Sequence, residues 1–198
     1  MNRDIRTLAL LSCLAGLFMA ACTEDTGTID PYHDWENRNQ HVIDSIASVA
    51  ATHTGQWKTL HTYKFDPIIG APMDNNDYVY AHILQDGTGR ACVNATDTVV
   101  VHYRGQLIPL ADGRKVVFDE SFRGTLDIAT ARPVQFVAGN LITGWTTALT
   151  QMHEGDYWTI YVPYTLGYGS EGSTGIPGFS TLIFDIYLEK VKPLKGRE

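Results

Sequence analysis

The sequence is poor in cysteine and in basic residues. Its 198 residues include only three cysteines, too few for a framework of disulfides. Lys and Arg total 15 against 22 Asp and Glu, giving a net charge of −7, whereas a nucleic-acid-binding protein needs clustered basic charge. Because 44% of the residues are hydrophobic, the chain can still bury a core. We therefore predict one globular domain with an appendage and no nucleic-acid partner.

Signatures of nucleophilic, metal-dependent and phosphate-binding enzymes are also missing. No serine lies in a G-x-S-x-G turn, and the seven histidines lack a metal-ligand spacing such as H-E-x-x-H. The segment from Gly167 to Gly172 matches G-x-G-x-x-G, but the glycines and Pro177 that follow it cannot begin a helix, so we reject a dinucleotide site. We expect no metal and no cofactor. Any catalysis must then work through non-covalent binding.

The first 21 residues have the pattern of a secretory signal peptide. Arg3 and Arg6 precede an apolar stretch from Thr7 to Met19. This stretch is shorter than the about 20 residues that a membrane-spanning helix needs, and it fits the apolar region of a signal that is later removed. We therefore predict cleavage after residue 21.

Cys22 directly follows two alanines, which resembles the signal of bacterial lipoproteins. The resemblance implies that Cys22 is lipidated and that the protein is anchored in the bacterial cell envelope. Thr23, rather than Asp, follows the cysteine, which favours the outer membrane over the inner one. The periplasmic and the surface face both stay open. Ordinary cleavage that leaves Cys22 unmodified is the alternative.

We divide the rest of the chain by its composition. Residues 22–33 read as a polar tether, residues 34–76 as an N-terminal helical extension, and residues 77–194 as the main domain. Apolar side chains recur at helical spacing over Asp34–Ala51, and Asp30-Pro31 resembles a helix N-cap with proline in the first turn. The apolar face of this helix would dock on its own domain or on a second copy, forming a homodimer.

From residue 77 the pattern changes to strands. Thr98–Gln106 is rich in β-branched residues, and Thr181–Val191 alternates apolar and polar side chains. One short helix is predicted over Gly144–Met152. Strands around one short helix indicate an α+β domain. Cys92, which has no partner if Cys22 carries lipid, reads as a small buried or semi-buried apolar residue.

Several sequence blocks occur in a fixed order in this domain. They are Val101–Gly105, Val117–Ser121, Gly139–Trp145, Met152–Asp156, Pro163–Gly169 with Gly175–Pro177, and Thr181–Asp185. Their order and spacing over residues 78–192 resemble the FKBP-type peptidyl-prolyl cis/trans isomerases. The resemblance implies a twisted antiparallel sheet wrapped around one short helix, with an N-terminal helical extension. It does not cover residues 23–77.

The resemblance also implies a site, an apolar pocket that takes a proline ring. Trp145 would form its floor, the Ile142 N–H and the Tyr168 hydroxyl would hold substrate carbonyls, and Asp119 would be the polar group of its wall. The implied catalytic residues are Tyr103, Phe118, Asp119, Ile142, Trp145, Tyr168 and Phe184. The implied substrate-binding residues are Leu141, Val134 and Ile176.

By this resemblance the protein is a peptidyl-prolyl cis/trans isomerase that assists the folding of exported cell-envelope proteins. Its partners would be proline-containing polypeptides, with macrolide inhibitors as further ligands and the membrane reached only through the lipid anchor. The alternative is a chaperone-like module that binds proline-containing or unfolded chains with little or no turnover. A third interpretation gives the main role to the N-terminal helix, as a dimerisation arm or a docking site for another envelope protein.

Overall fold

The computed structural model describes residues 29–62, 73–92 and 94–194. Its elements in chain order are α1 (Trp35–Thr52), β1 (Trp57–His61), β2 (Tyr78–Gln85), β3 (Thr98–Leu107), β4 (Val117–Glu120), β5 (Val134–Val137), α2 (Thr143–Leu149), β6 (Tyr157–Val162) and β7 (Leu182–Lys192). The predicted signal peptide and Cys22 lie outside the described residues. Among the described helices, none combines the length and the apolar character needed to cross a bilayer.

The seven strands of the described residues join one antiparallel sheet. The order is β1-β2-β6-β7-β3-β4, and β5 pairs with the other end of β3. Strand β7 alternates as predicted, with Leu182, Phe184, Ile186 and Leu188 buried and the residues between them partly exposed. These buried side chains pack with those of β6 and α2 in the main core. The α+β fold with one short helix against the sheet is confirmed.

Helix α1 packs on its own domain. Tyr80 of β2 points away from the main core and forms a second cluster with Ile43 and Ala50 of the helix. Since successive residues of a strand face opposite sides, this cluster covers the outer face of the sheet. The predicted apolar face of α1 is therefore already occupied within the chain, and a homodimer through it stays a prediction.

The start of α1 differs from the expected cap. The helix begins after Asp34, and Asp30 instead accepts a hydrogen bond from the Tyr32 N–H at 3.0 Å in a turn before the helix. Pro31 belongs to this turn, where its carbonyl accepts from the Ala111 N–H at 2.9 Å. Asp and Pro are favoured both at the start of a helix and in a turn, so the Asp-Pro pair alone does not distinguish the two.

Within the predicted extension 34–76, α1 occupies the stretch predicted to be helical and a strand follows it. Trp57–His61 forms β1, an edge strand paired with β2 in register Leu60 to Val79. Its sequence, WKTLH, lacks the alternation that marks a half-buried strand, and only Leu60 of the strand is buried. The division at residue 77 separates two paired strands, because β1 and the main domain share one sheet.

Cys92 is fully buried, as predicted. Burial of the thiol, with the nearby charge of Asp97 second, raises the pKa of Cys92 to about 11. An unfolded thiol ionises near pH 8.5, so above that pH the unfolded chain releases a proton that the folded chain keeps. The contribution of the neutral Cys92 thiol to folding stability is therefore fully present below about pH 8.5 and is lost as the pH rises toward 11.

We predict that the free energy of unfolding falls by about 2 to 3 kcal/mol more in the wild type than in Cys92→Ala between pH 8 and pH 11. Urea unfolding at these two pH values measures the difference, and the common effects of tyrosines and lysines cancel between the proteins. Parallel losses in wild type and variant would contradict the assignment.

Candidate functional site

A cavity of about 310 Å³ opens between α2 and the inner face of the sheet. Its size is in the lower part of the range of small-ligand pockets. Aromatic and aliphatic side chains dominate its lining, with few polar groups. The lining residues are Tyr103, Phe118, Asp119, Phe136, Leu141, Ile142, Trp145, Tyr168, Ser173, Thr174, Ile176 and Phe184.

Trp145 of α2 forms the centre of the aromatic lining. Its ring centroid lies 5.3 Å from that of Tyr103, 6.0 Å from Phe136 and 5.2 Å from Phe184, with interplanar angles of 86°, 83° and 87°. Edge-to-face pairs of this kind contribute about 0.5 to 1.5 kcal/mol each beyond their buried area. Three neighbours from β3, β5 and β7 thus fix one indole ring.

Gly105 of β3 allows the sheet to approach the cavity closely. A Cβ at this position would lie 2.6 Å from Cε2 of Phe118 and 2.7 Å from Cε1 of Phe184. These two rings pack edge to face at 5.5 Å. The absence of a side chain at residue 105 therefore gives the two rings the space they occupy in the wall.

A hydrogen bond links a buried and an exposed polar side chain of the site. The Tyr103 hydroxyl donates to Oδ2 of Asp119 at 2.7 Å. Tyr103 is buried, whereas Asp119 is exposed on β4. Burial, followed by the hydrogen bond to the Asp119 carboxylate, raises the pKa of Tyr103 well above its ordinary value. The phenol is therefore neutral throughout the physiological range.

Two donors of the cavity have no protein acceptor among the described residues. The Ile142 N–H directly precedes α2, and the helix uses the Ile142 carbonyl but not its N–H. The Tyr168 hydroxyl lies on a side chain that is 39% exposed. Both groups line the same cavity, so both can donate to a bound ligand.

The structure brings nearly all the predicted site residues together. The seven residues implied to be catalytic line the cavity, as do Leu141 and Ile176. Their roles in binding and catalysis stay predictions. The G-x-G-x-x-G segment runs through turns and begins no helix, as expected.

Val134 is the one residue predicted for the pocket that does not line the cavity, so the cavity lends no support to its predicted role in substrate binding. Val134 and Phe136 face the same side of β5, but the Phe136 ring is the one that reaches Tyr103 and Trp145. The period of two along a strand could have identified Phe136 as the aromatic member of this face. Ser173 and Thr174 were also missed, because nothing in a glycine-rich loop indicates which side chains turn inward.

No group of three or more His, Cys, Asp or Glu residues in the described part of the chain could hold a metal ion. The cavity lining itself contains one carboxylate and no histidine. The cavity is therefore suited to enclosing an apolar group of a ligand and to donating hydrogen bonds to carbonyls next to that group.

We predict that Gly105→Ala destabilises the fold by about 1 to 3 kcal/mol and removes most peptide binding, because Phe118 and Phe184 must shift into the cavity. Gly55→Ala is the matched control, since no atom lies within 4 Å of the added Cβ. Thermal unfolding and titration with a labelled Xaa-Pro peptide measure both effects. Equal affinities in the two variants would contradict this account of the wall.

Residues 89–189, which include all the residues that line the cavity, match the family described as FKBP-type peptidyl-prolyl cis-trans isomerase. The FKBP-type 22 kDa peptidyl-prolyl cis-trans isomerase of Escherichia coli (strain K12) is 39% identical over 110 residues, which cover 55% of this chain and 48% of that protein. The outer membrane protein MIP of Legionella longbeachae is 40% identical over 111 residues, covering 56% of this chain and 42% of that protein.

The chain thus spans less than half the length of these two relatives. Among solved structures, that of FkpA from Escherichia coli aligns with 81% of this chain and 62% of its own, at a TM-score of 0.54 and 28% identity. The match to the family covers half of the chain and includes β3 to β6, α2 and most of β7. The chain belongs to the FKBP-type peptidyl-prolyl cis-trans isomerase family.

Proposed function

We propose that this protein catalyses cis/trans isomerisation of Xaa-Pro bonds in polypeptides, with the cavity around Trp145 as the active site. The observation that carries the proposal is the combination of an aromatic cavity with two unused hydrogen-bond donors at its edge. The aromatic cavity suits a proline ring, and the two donors suit the peptide carbonyls on either side of that ring. Membership of the family supports the same activity.

Rotation about an Xaa-Pro bond is slow because the amide must lose its resonance, at a barrier of about 18 to 20 kcal/mol. In the twisted transition state the carbonyl carries less negative charge than in the planar amide. A water-poor wall of aromatic rings therefore disfavours the planar state more than the twisted one. This is differential binding of the transition state, which is what accelerates a step.

The donors position the substrate on this wall. The Ile142 N–H lies beside the first turn of α2 and can fix a substrate carbonyl next to the Trp145 ring. The Tyr168 hydroxyl can hold a second carbonyl at the exposed edge. Asp119 fixes Tyr103 by the 2.7 Å hydrogen bond and places the one carboxylate of the lining near the rotating bond. No covalent intermediate is needed.

We predict that kcat/KM for a short Xaa-Pro peptide varies by less than about twofold between pH 6 and pH 8. Tyr103 has a raised pKa and stays neutral, and no lining residue is a histidine, so no proton transfer limits the rate. Rates measured across this interval in one buffer series check the expectation. A bell-shaped profile would point to general acid-base chemistry instead.

We predict that the purified full chain accelerates isomerisation and that Asp119→Leu lowers kcat/KM by about tenfold, the effect of about 1.4 kcal/mol on the barrier. Tyr168→Phe should lower it severalfold, because only the hydroxyl is lost. Asp119→Asn keeps an acceptor for Tyr103 and should retain more activity than Asp119→Leu.

Asp86→Leu is the matched control, because Asp86 is exposed and lies outside the cavity. Circular dichroism and thermal unfolding show which variants remain folded. Full activity in folded Asp119→Leu and Tyr168→Phe would move the chemistry out of the cavity. A well-folded wild type that binds the peptide without turnover would favour the chaperone-like alternative, with macrolide binding as a further test of the cavity.

We also propose that the protein is a lipoprotein of the bacterial cell envelope, anchored through Cys22, and that it assists the folding of exported proteins. The signal pattern supports the anchor, and one relative is named an outer membrane protein. We predict that Cys22→Ala abolishes incorporation of radiolabelled fatty acid and releases the protein from the membrane fraction. Unchanged labelling in that variant would contradict the anchor.

A further inference from the structure

The rim loop, residues 167–179, carries four side chains of the cavity lining, namely Tyr168, Ser173, Thr174 and Ile176. The loop is well connected internally. Ser173 and Ile176 exchange two backbone hydrogen bonds of 2.8 and 2.9 Å, and the Phe179 N–H donates to the Gly169 carbonyl at 3.0 Å. The position of the loop as a unit therefore depends on what holds its two ends.

The C-terminal end of the rim loop is held by the first turn of α1. Trp35 Nε1 donates to the Ser180 hydroxyl at 3.1 Å, and that hydroxyl donates to the Pro177 carbonyl at 2.6 Å. Trp35 is 8% exposed and Ser180 is 3% exposed, so water does not replace this link. Two hydrogen bonds thus connect α1 to the residue that follows Ile176.

A second link comes from one helical turn further on. Asn39 Oδ1 accepts from the Thr181 N–H at 2.7 Å, and Asn39 Nδ2 donates to the Trp35 carbonyl at 2.7 Å. Residues four apart share one helix face, so Trp35 and Asn39 meet consecutive residues of the chain. Ser180 and Thr181 directly precede β7, which carries Phe184 of the cavity wall.

We propose that Trp35 and Asn39 are positioning residues of the active site, because they fix the rim loop against the aromatic wall. Helix α1 then contributes to the site by holding the rim loop in position. We call the hydrogen bonds from Trp35 to Ser180 and from Thr181 to Asn39 the clamp. Loss of the clamp lets the rim loop occupy positions in which Tyr168 and Ile176 do not close on the peptide. The apparent affinity falls with the fraction of chains in the competent position, while kcat changes little.

The test uses the full chain and a fluorescein-labelled Xaa-Pro peptide. Trp35→Phe removes the indole N–H but keeps an aromatic ring, and Ser180→Ala removes both hydrogen bonds of the link. We expect each variant to raise the Kd about fivefold, the effect of losing one buried hydrogen bond. The double variant should be no weaker than Ser180→Ala, because both changes break the same link.

The controls separate the clamp from general damage to the core. Trp57→Phe makes the same substitution in β1, three strands from β7 in the sheet order, where Trp57 stacks on His82 and Tyr161. Trp57 also packs against the cluster that α1 forms with Tyr80, so this control disturbs the contact of α1 with the sheet without removing the link to Ser180. Ser180→Thr retains the hydroxyl, so this variant should have the wild-type Kd, unlike Ser180→Ala. A rise in Kd that Trp57→Phe shares, or one that Ser180→Thr does not reverse, would overturn the proposal.

The Kd readout rests on the proposed function, because it assumes that the cavity binds Xaa-Pro peptides, so a second measurement is made independent of it. Hydrogen exchange at the Thr181 N–H and the side-chain methyl resonances of Ile176 report the clamp and the loop without turnover. Both should change in Trp35→Phe and Ser180→Ala but not in Trp57→Phe. If the wild type lacks isomerase activity and these signals still change, only the proposed function fails. Unchanged signals together with an unchanged Kd would overturn the clamp itself.

Discussion

The packing of α2 into the inner face of the sheet is the constraint on which the site depends. Gly144 contacts Val162 of β6 so closely that a Cβ at residue 144 would clash with the valine methyl groups. The helix can therefore sit deep in the sheet, which brings Trp145 within edge-to-face distance of three aromatic rings. The N–H of Ile142 makes no bond within the helix because α2 begins one residue later. The packing contact thus sets the position of the Trp145 ring, and the start of the helix leaves an N–H beside that ring.

The two faces of the sheet pack against different helices. The inner face holds α2 and the cavity, while part of the outer face is covered by α1 through Ile43, Ala50 and Tyr80. The N-terminal turn of α1 extends to the segment before β7, where Trp35 and Asn39 make buried hydrogen bonds. A helix that was predicted as an appendage is therefore continuous with the structure that frames the cavity.

The sequence was sufficient for the elements with strong patterns. The alternation of β7, the helical spacing of α1 and the ordered blocks of the family all led to the elements that the structure contains. The blocks also identified the cavity residues that lie within them. The periodic signals of β7 and α1 are local, since each depends on spacing within about ten residues of chain. The blocks depend in addition on their order over residues 78–192.

The signals that failed depend on contacts between distant segments. Strand β1 is recognisable through its pairing with β2, because only Leu60 of the strand is buried. Val134 and Phe136 share one face of β5, and only the position of α2 decides which of them reaches Trp145. The link from Trp35 to Ser180 joins residues 145 positions apart in the chain, so no local pattern predicts it.

The central claim is that the cavity around Trp145 both binds and isomerises Xaa-Pro peptides. NMR exchange spectroscopy on an unlabelled peptide, combined with the indole N–H signals of the protein, tests both parts in one sample. We expect cis/trans exchange cross-peaks at substoichiometric protein, whereas the free peptide needs tens to hundreds of seconds to exchange. The Trp145 indole signal should shift as peptide is added. Cross-peaks without that shift, or the shift without cross-peaks, would contradict the claim.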